Sequence, residues 1–455
     1  MSKIHLFVAI ALFSLASIPI SRAQTTDTPS VPMEKVLYSF TGGLDGGNPQ
    51  GSLVRDSKGN LYGMTYHGGS SGVTNVGACW QSGGCGTVFK LNKMPGGKWQ
   101  EKVIYNFCPV AGCTDGADPV GGLVMDSLGV LYGVTFSGGA FNGGTVFALA
   151  PVGKTWVETV LHHFCSTSQC LDGLNPDAGL VLDSHGNLWG TTVQGGGGAA
   201  EAGAGVVFEV SPVSDGWVET VLYAFCMVQF CPDGAGPRSS VTFDLAGNLY
   251  GTAYTGGLAH CPNTYSCGTV FALSPATTGF WPYSGLYDFC PLSGCLDGEL
   301  PAVGMAFDDV GHLFGTATLG GAKNAGVLFE LESSSSGDWQ YSVIHNFCSI
   351  SSATHNCTDG SNPANNLVVD LSNNIFGTTA AGGNGGGVVF KFIPKLNGWQ
   401  ETVLHSFCTK AGCPDGNGPS GTPIFDSAGN LYGTTGDGGT GNTTGGAGVV
   451  YEIVP

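Results

Sequence analysis

Gly179–Thr192 reads Gly-Leu-Val-Leu-Asp-Ser-His-Gly-Asn-Leu-Trp-Gly-Thr-Thr, and variants of this phrase occur seven times along the chain. A short apolar run ends at Asp183, a Gly-Asn turn follows, and the next run is rich in aromatic and β-branched residues. That order is strand, tight turn, strand. Three other recurring words surround it. Upstream is a D-G-x-x-P tag beginning at Asp45, Asp115, Asp172, Asp233, Asp297, Asp359 and Asp415. Downstream, after a Gly-rich loop, comes Gly-Thr-Val-Phe or a variant, ending at Phe89, Phe147, Phe208, Phe271, Phe329, Phe390 and Tyr451. The last word, W-x-E-T-V-L-Y-x-F, opens on Trp99, Trp156, Trp217, Trp281, Trp339 and Trp399. From Asp45 to Asp415 is 370 residues over six intervals, so the unit averages about 62, a spacing typical of propellers and solenoids.

Each unit therefore predicts four short strands: a buried inner one, two middle ones, and an outer one anchored by Trp. The repeat is out of phase with the chain ends. Six outer-strand words follow their own unit, while a seventh, Val36-Leu37-Tyr38-Ser39-Phe40, stands alone before the first tag. A solenoid has no use for a first strand that completes the last unit, whereas a closed ring does. The expectation is an all-β, seven-bladed β-propeller of four-stranded antiparallel blades, closed by the N-terminal strand pairing into the last blade.

Composition points to export. Residues 1–23 carry Lys3, an apolar run from Leu6 to Ile20, and Ser21-Arg22-Ala23 before Gln24, the form of a cleaved signal peptide. Residues 24–33 read as a linker and 34–455 as one propeller domain. Removing 1–23 leaves 13 basic against 33 acidic residues, a balance that disfavours nucleic acid and anionic membranes. No later run is long or apolar enough to span a bilayer, and no C-terminal anchor pattern is present, which predicts a secreted or periplasmic protein.

The sixteen cysteines fall into eight neighbouring pairs. Cys108/Cys113, Cys165/Cys170, Cys226/Cys231, Cys290/Cys295, Cys348/Cys357 and Cys408/Cys413 immediately precede tags. Cys79/Cys85 and Cys261/Cys267 precede Gly-Thr-Val-Phe. Neither the spacing nor nearby His provides a zinc knuckle, so eight local disulfides in an oxidising compartment are expected.

The repeat resembles the GloVer family of exported bacterial tandem repeats, on the Gly179–Thr192 phrase and its equivalents followed by Gly-Gly and Gly-Thr-Val-Phe. That resemblance implies export and a propeller-like array with no assigned activity. The layout is also similar to Kelch blades, a likeness of architecture alone.

Catalytic and cofactor motifs are thin. No G-x-S-x-G, H-E-x-x-H, phosphate loop or calcium loop occurs, so no cofactor and no metal are expected. The tag Asp residues read as turn formers rather than a cation-binding ring. The Asp of D-x-x-G-N, such as Asp56 and Asp126, reads as a cap on its own hairpin. His162, His345 and His405, which replace the outer-strand Tyr, read as packing or surface variants.

Departures from the repeat are the better pointers to a site. The residue after each tag Pro falls at the channel rim and varies: Gln50, Val120, Asp177, Arg238, Ala302, Ala364 and Ser420. Tyr66, His67, Phe136 and Tyr254 add aromatic and polar groups on the first, second and fourth units. Trp80 lies inside the Cys79/Cys85 loop. Aromatic faces beside polar groups suit a glycan or peptide. The expected function is a secreted binding or structural module for a glycan, peptide or protein, with Tyr66, His67, Trp80, Phe136, Asp177, Arg238 and Tyr254 as its ligand site. The alternative is a polysaccharide hydrolase or lyase, with an acid and base drawn from Asp177, Arg238, His67 and the tag Asp residues. The uniformity of the repeat favours binding.

Overall fold

The glycine of each Leu-Tyr-Gly copy has no room for a side chain. A Cβ on Gly63 would lie 2.5 Å from Phe89 Cζ, and one on Gly190 would lie 2.6 Å from Phe208 Cζ. Gly63 and Phe89 face each other in register on neighbouring strands, as do Gly190 and Phe208. The bare glycine lets the ring lie flat across the sheet, and the ring then meets the Phe that ends the preceding outer strand. Phe40–Phe89, Phe107–Phe147, Phe164–Phe208 and Phe407–Tyr451 pack with centroids 5.0, 5.1, 5.0 and 5.1 Å apart. All eight residues are fully buried. Each such contact adds about 0.5–1.5 kcal/mol beyond area burial. The outer-strand Trp closes the seam from the rim, as with Trp156 on Tyr62 at 5.9 Å.

The computed structural model describes residues 32–70, 79, 84–109, 112–198, 203–257, 267–276, 279–291, 294–334, 337–350, 357–441 and 445–454. The expected signal peptide and most of the linker lie outside these residues, as does Trp80. Apart from one short 3-10 turn at Ser168–Cys170, every named element is a strand. The first unit is typical: Gly47–Arg55, Leu61–His67, Thr87–Lys93 and Trp99–Asn106 pair antiparallel in chain order.

The strands make a β-propeller arrangement, but not the seven separate sheets expected. Six hydrogen-bonded sheets form among the described residues. Five are individual four-stranded antiparallel blades, three of them with the inner strand split into two short pieces. The sixth holds eight strands, because Gly47–Arg55 and Ala117–Met125 join in parallel at Ser52↔Gly122. Glycine permits this fusion. A Cβ on Gly51 would lie 2.1 Å from the Gly122 nitrogen, so only bare backbone allows the two inner strands to meet.

The N-terminal strand behaves as its phase predicts. Met33–Ser39 pairs antiparallel with Val449–Val454, from Met33↔Val454 to Ser39↔Val449. The inner strands meet at the same seam, where Gly51 N donates to Ser420 O at 3.0 Å and Ser420 Oγ donates to Pro49 O at 2.6 Å.

The tag Asp is more than a turn former. Asp115 is 9% exposed, and its carboxylate accepts from Tyr105 Oη at 2.8 Å and Cys108 N at 3.0 Å. Asp233 takes Tyr223 and Cys226 in the same way. His345 replaces the tyrosine with Nε2 3.1 Å from Asp359. The outer-strand His residues are thus partners of the tag carboxylate rather than incidental variants, and the tag carboxylates stand among the outer strands instead of forming a ring at the channel. The hairpin Asp caps its turn as its spacing predicts: Asp56 accepts from Lys58 N, Asn60 N and Tyr62 Oη.

Seven of the eight expected disulfides are present between sequence neighbours: Cys79–Cys85, Cys108–Cys113, Cys165–Cys170, Cys226–Cys231, Cys290–Cys295, Cys348–Cys357 and Cys408–Cys413. Cys261 lies outside the described residues, and Cys267 is disulfide-bonded. Non-reducing peptide mapping should recover all of these local pairs and no bond between distant units. Loops this short remove little unfolded-state entropy, about 2 kcal/mol or less per bond. Opening a single bond, as in a Cys108→Ser/Cys113→Ser protein, should therefore lower the melting temperature by only a few degrees. The eight together reach on the order of 16 kcal/mol, comparable with a domain's net stability. Complete unfolding of the single-bond variant would contradict this account.

Candidate functional site at the channel mouth

The tag proline lies at or just before the channel-mouth end of each inner strand, so the residue after it falls at one end of the central axis. All seven of these residues, Gln50, Val120, Asp177, Arg238, Ala302, Ala364 and Ser420, line a single cavity of about 240 Å³. The cavity is narrow because the inner strands touch. A Cβ on Gly121, at φ +76°, would lie 2.3 Å from the Ala178 carbonyl carbon. Further along the axis a second chamber of about 240 Å³ has apolar walls that include Leu123, Leu180, Val241, Met305 and Leu367. The site is thus a polar mouth over a greasy throat.

Asp177 and Arg238, on successive units, carry the charge at this mouth. Burial raises the Asp177 carboxyl above its ordinary range, and the Arg238 guanidinium partly draws it back. The two form no ion pair within 4.0 Å. Arg238 instead lies over the Tyr254 ring, 4.7 Å from its centroid, in a cation–π contact. It is exposed there, its side chain held by the ring beneath.

Tyr66, His67, Phe136 and Tyr254 do not line the cavity. Tyr66 is half-buried; burial, then the charges of Asp118 and Asp177, push its phenol up to about 12. His67 packs edge-on against Tyr66 at 4.5 Å, its Nδ1 is buried without a partner, and burial lowers its pKa. Phe136 packs into the core beside Tyr66, and its carbonyl accepts from Asn175 Nδ2 at 2.8 Å.

One residue here escaped the sequence reading. Asp118, before the tag proline, is 5% exposed, accepts from Ser137 Oγ at 2.6 Å, and leaves Oδ1 unpartnered. Burial pushes its carboxyl up to about 6 against the pull of the Ser137 bond. The signal was a substitution: Asn175 and Asn362 hold the same tag position and the same left-handed φ, +56° in all three residues. Asparagine donates to the preceding unit's carbonyl, which an ionised aspartate cannot do.

Candidate metal groups lie elsewhere. The sulfurs of Cys79, Cys85, Cys108 and Cys113 lie within 4.8 Å of one another but are paired in two disulfides. In the His345–Asp359–Glu401 group, His345 and Glu401 stand on outer strands with the tag residue Asp359 beside them, and none of the three lines the mouth.

Repeated antiparallel blades around a narrow axial cavity define a β-propeller repeat protein. The Gloeobacter/Verrucomicrobia repeat matches residues 25–197, 71–294, 169–357 and 263–455, and the chain belongs to that family. No curated protein matches it. Among solved structures it is similar to one from Thermus thermophilus named as a putative oxidoreductase (glucose dehydrogenase). The alignment covers 93% of this chain and 100% of that one at 12% identity, with a TM-score of 0.44. This likeness says nothing about activity here. No helix among the described residues is long and apolar enough to cross a membrane, and the many disulfides fit an oxidising compartment.

Proposed function

We propose that the protein is an exported, disulfide-stiffened binding module whose channel mouth holds a glycan or peptide through Asp177 and Arg238, flanked by Tyr66 and Tyr254. The observation that carries this reading is that one repeat position, the residue after the tag Pro, holds six different residue types in its seven copies and that all seven line one cavity. A carboxyl beside a cation stacked on tyrosine offers an acceptor, donors and an aromatic face to sugar hydroxyls or peptide amides. Acid–base cleavage of a glycosidic bond ordinarily needs two carboxyl groups across the bond. Asp177 alone among the cavity-lining residues has one, which favours binding over the hydrolase or lyase alternative.

The wider reading is a cleaved signal at 1–23, a linker at 24–33, and a propeller at 34–455 released outside the cytoplasm. Counting the eight-stranded sheet as two blades fused at Ser52↔Gly122 makes seven blades. The four strands on each side of that contact repeat the antiparallel order of the separate blades, which supports the count.

Glycan and peptide arrays should identify a ligand, with parallel assays of polysaccharide cleavage. Arg238→Ala and Tyr66→Ala should then each weaken binding about tenfold or more, a loss of about 1.4 kcal/mol, while the melting temperature changes little. Full binding in both variants, or turnover of an arrayed polysaccharide, would overturn the proposal.

A further inference from the structure

The chain's charge is unevenly distributed. Residues 32–157 hold eight basic and seven acidic side chains, whereas 158–455 hold five basic and 25 acidic ones. Four of the lysines line one groove. It lies between the first two units, at the hairpin ends opposite the channel mouth, and has a volume of about 730 Å³. Lys58 and Lys154 come from turns, and Lys90 and Lys102 from the third and outer strands of the first unit. Lys58, Lys102 and Lys154 are exposed. The ion pairs among the described residues involve histidines and Lys35, so none of these four ammonium groups is neutralised within the fold.

The groove is also shaped for a ring-bearing ligand. Trp156 lines it with its edge on Tyr62, and Lys90 sits 5.0 Å above the Tyr62 ring. Asp56 and Asp126 belong to the lining too, but their carboxylates are taken up by their own hairpins. The fold alone does not require the charge. The equivalent groove between the fourth and fifth units, about 550 Å³, is lined by Phe243, Leu245, Val310 and Trp339 with Asp308 and Asp309, and has no basic residue.

We infer that the groove between the first two units is a second binding site, for an acidic oligosaccharide of the polyuronate type. Four unpaired lysines around a tryptophan match carboxylates carried on successive sugar rings. The strongly acidic remainder of the chain would repel a long nucleic acid that extends beyond the groove. The site is independent of the channel mouth.

The test is calorimetric titration with oligogalacturonate, with cello-oligosaccharide as the neutral counterpart and a single-stranded oligonucleotide of equal charge as the competing polyanion. Oligogalacturonate should bind, more weakly as salt is raised, and the neutral oligomer should not. The Lys90→Gln/Lys102→Gln pair should weaken binding by at least about tenfold, about 1.4 kcal/mol. Leu245→Ala, in the acidic groove, should leave binding unchanged. A circular dichroism melt of each variant establishes that it is folded. Equal binding of acidic and neutral oligomers, no binding of either, or full affinity in a folded Lys90→Gln/Lys102→Gln protein would overturn the proposal. An oligonucleotide that binds as well as the uronate would overturn the glycan assignment.

Discussion

A chain lacking residues 24–40 is expected to melt far below the full protein or to associate through its last blade. Met33–Ser39 covers the outer edge of Val449–Val454, and its removal bares that strand's unpaired backbone groups. The deletion also removes two core side chains, Leu37 and Phe40, which are 9% and 0% exposed. Losing a buried Leu costs about 2–5 kcal/mol and a buried Phe about 3–5 kcal/mol, together a large part of a domain's net stability. The Phe40–Phe89 contact and the Thr440 N to Ser39 Oγ bond go with them. Size-exclusion chromatography and a thermal melt read both outcomes. A truncated protein as stable and monomeric as the parent would show that the strand does not close the ring.

Stability should peak in mild acid and fall as pH rises through neutrality. The cause is a carboxyl pair repeated at five seams. Glu101, Glu158, Glu219, Glu401 and Glu34 each stand, on the outer strand of a unit, beside the tag Asp of that same unit: Asp45, Asp115, Asp172, Asp359 and Asp415. Tyr38, Tyr105, His162, His345 and His405 complete these seams against the same Asp residues. Every one of the five glutamates leaves a buried Oε1 unpartnered. Burial first, then the neighbouring aspartate, pushes Glu219 up to about 8 and the other four up to about 7; at Glu401 the nearby His345 opposes the rise.

A glutamate whose folded pKa lies above its unfolded one holds its proton more tightly when folded. The stability it adds is complete below about pH 4.5 and is lost as pH rises through 7 to 8. A tenfold difference in proton affinity is worth about 1.4 kcal/mol. Water reaches these half-buried groups and weakens the effect, leaving about 1 kcal/mol each, on the order of 5 kcal/mol in all. For a chain this long, that is a fall of about 5 °C in melting temperature between pH 5 and pH 8. His67 and His405, whose pKa values burial lowers, oppose the trend on the acid side. The low-lying Asp172 and Asp359 do so below pH 4. Replacing Glu158, Glu219 and Glu401 with Gln should flatten the slope. A melting temperature that rises from pH 5 to pH 8 would contradict this reading.

Much of the architecture was legible because its words are steric requirements. The glycine of Leu-Tyr-Gly and the Phe of the following strand recur together because one ring fills the space the glycine leaves. The lone Val36–Phe40 word carried the ring closure. The fused sheet was not legible, because glycines at the inner strands look the same in sequence whether they permit a backbone bond or merely a close approach. The tag Asp was read as a turn former because its partners, an outer-strand Tyr or His and a Cys nitrogen, are brought to it only by folding. The seam glutamates stood in plain view in W-x-E, and the change to W-x-Y at Tyr283 and Tyr341 was the clue. Those hydroxyls donate to the carbonyls of Asp233 and Asp297 instead. At the mouth, repeat drift identified the rim, but Asp118 and the placing of Arg238 over Tyr254 rather than against Asp177 needed three dimensions.

The most direct test of the channel-mouth reading is hydrogen–deuterium exchange with and without a ligand identified on the arrays. Protection is predicted at the starts of the inner strands, across Gly47–Arg55, Ala117–Met125, Leu174–Pro176 and residues 235–242, and it should disappear in Arg238→Ala. Protection confined to the outer strands that begin at Trp99, Trp156 and Trp217, with the channel mouth unchanged, would contradict it.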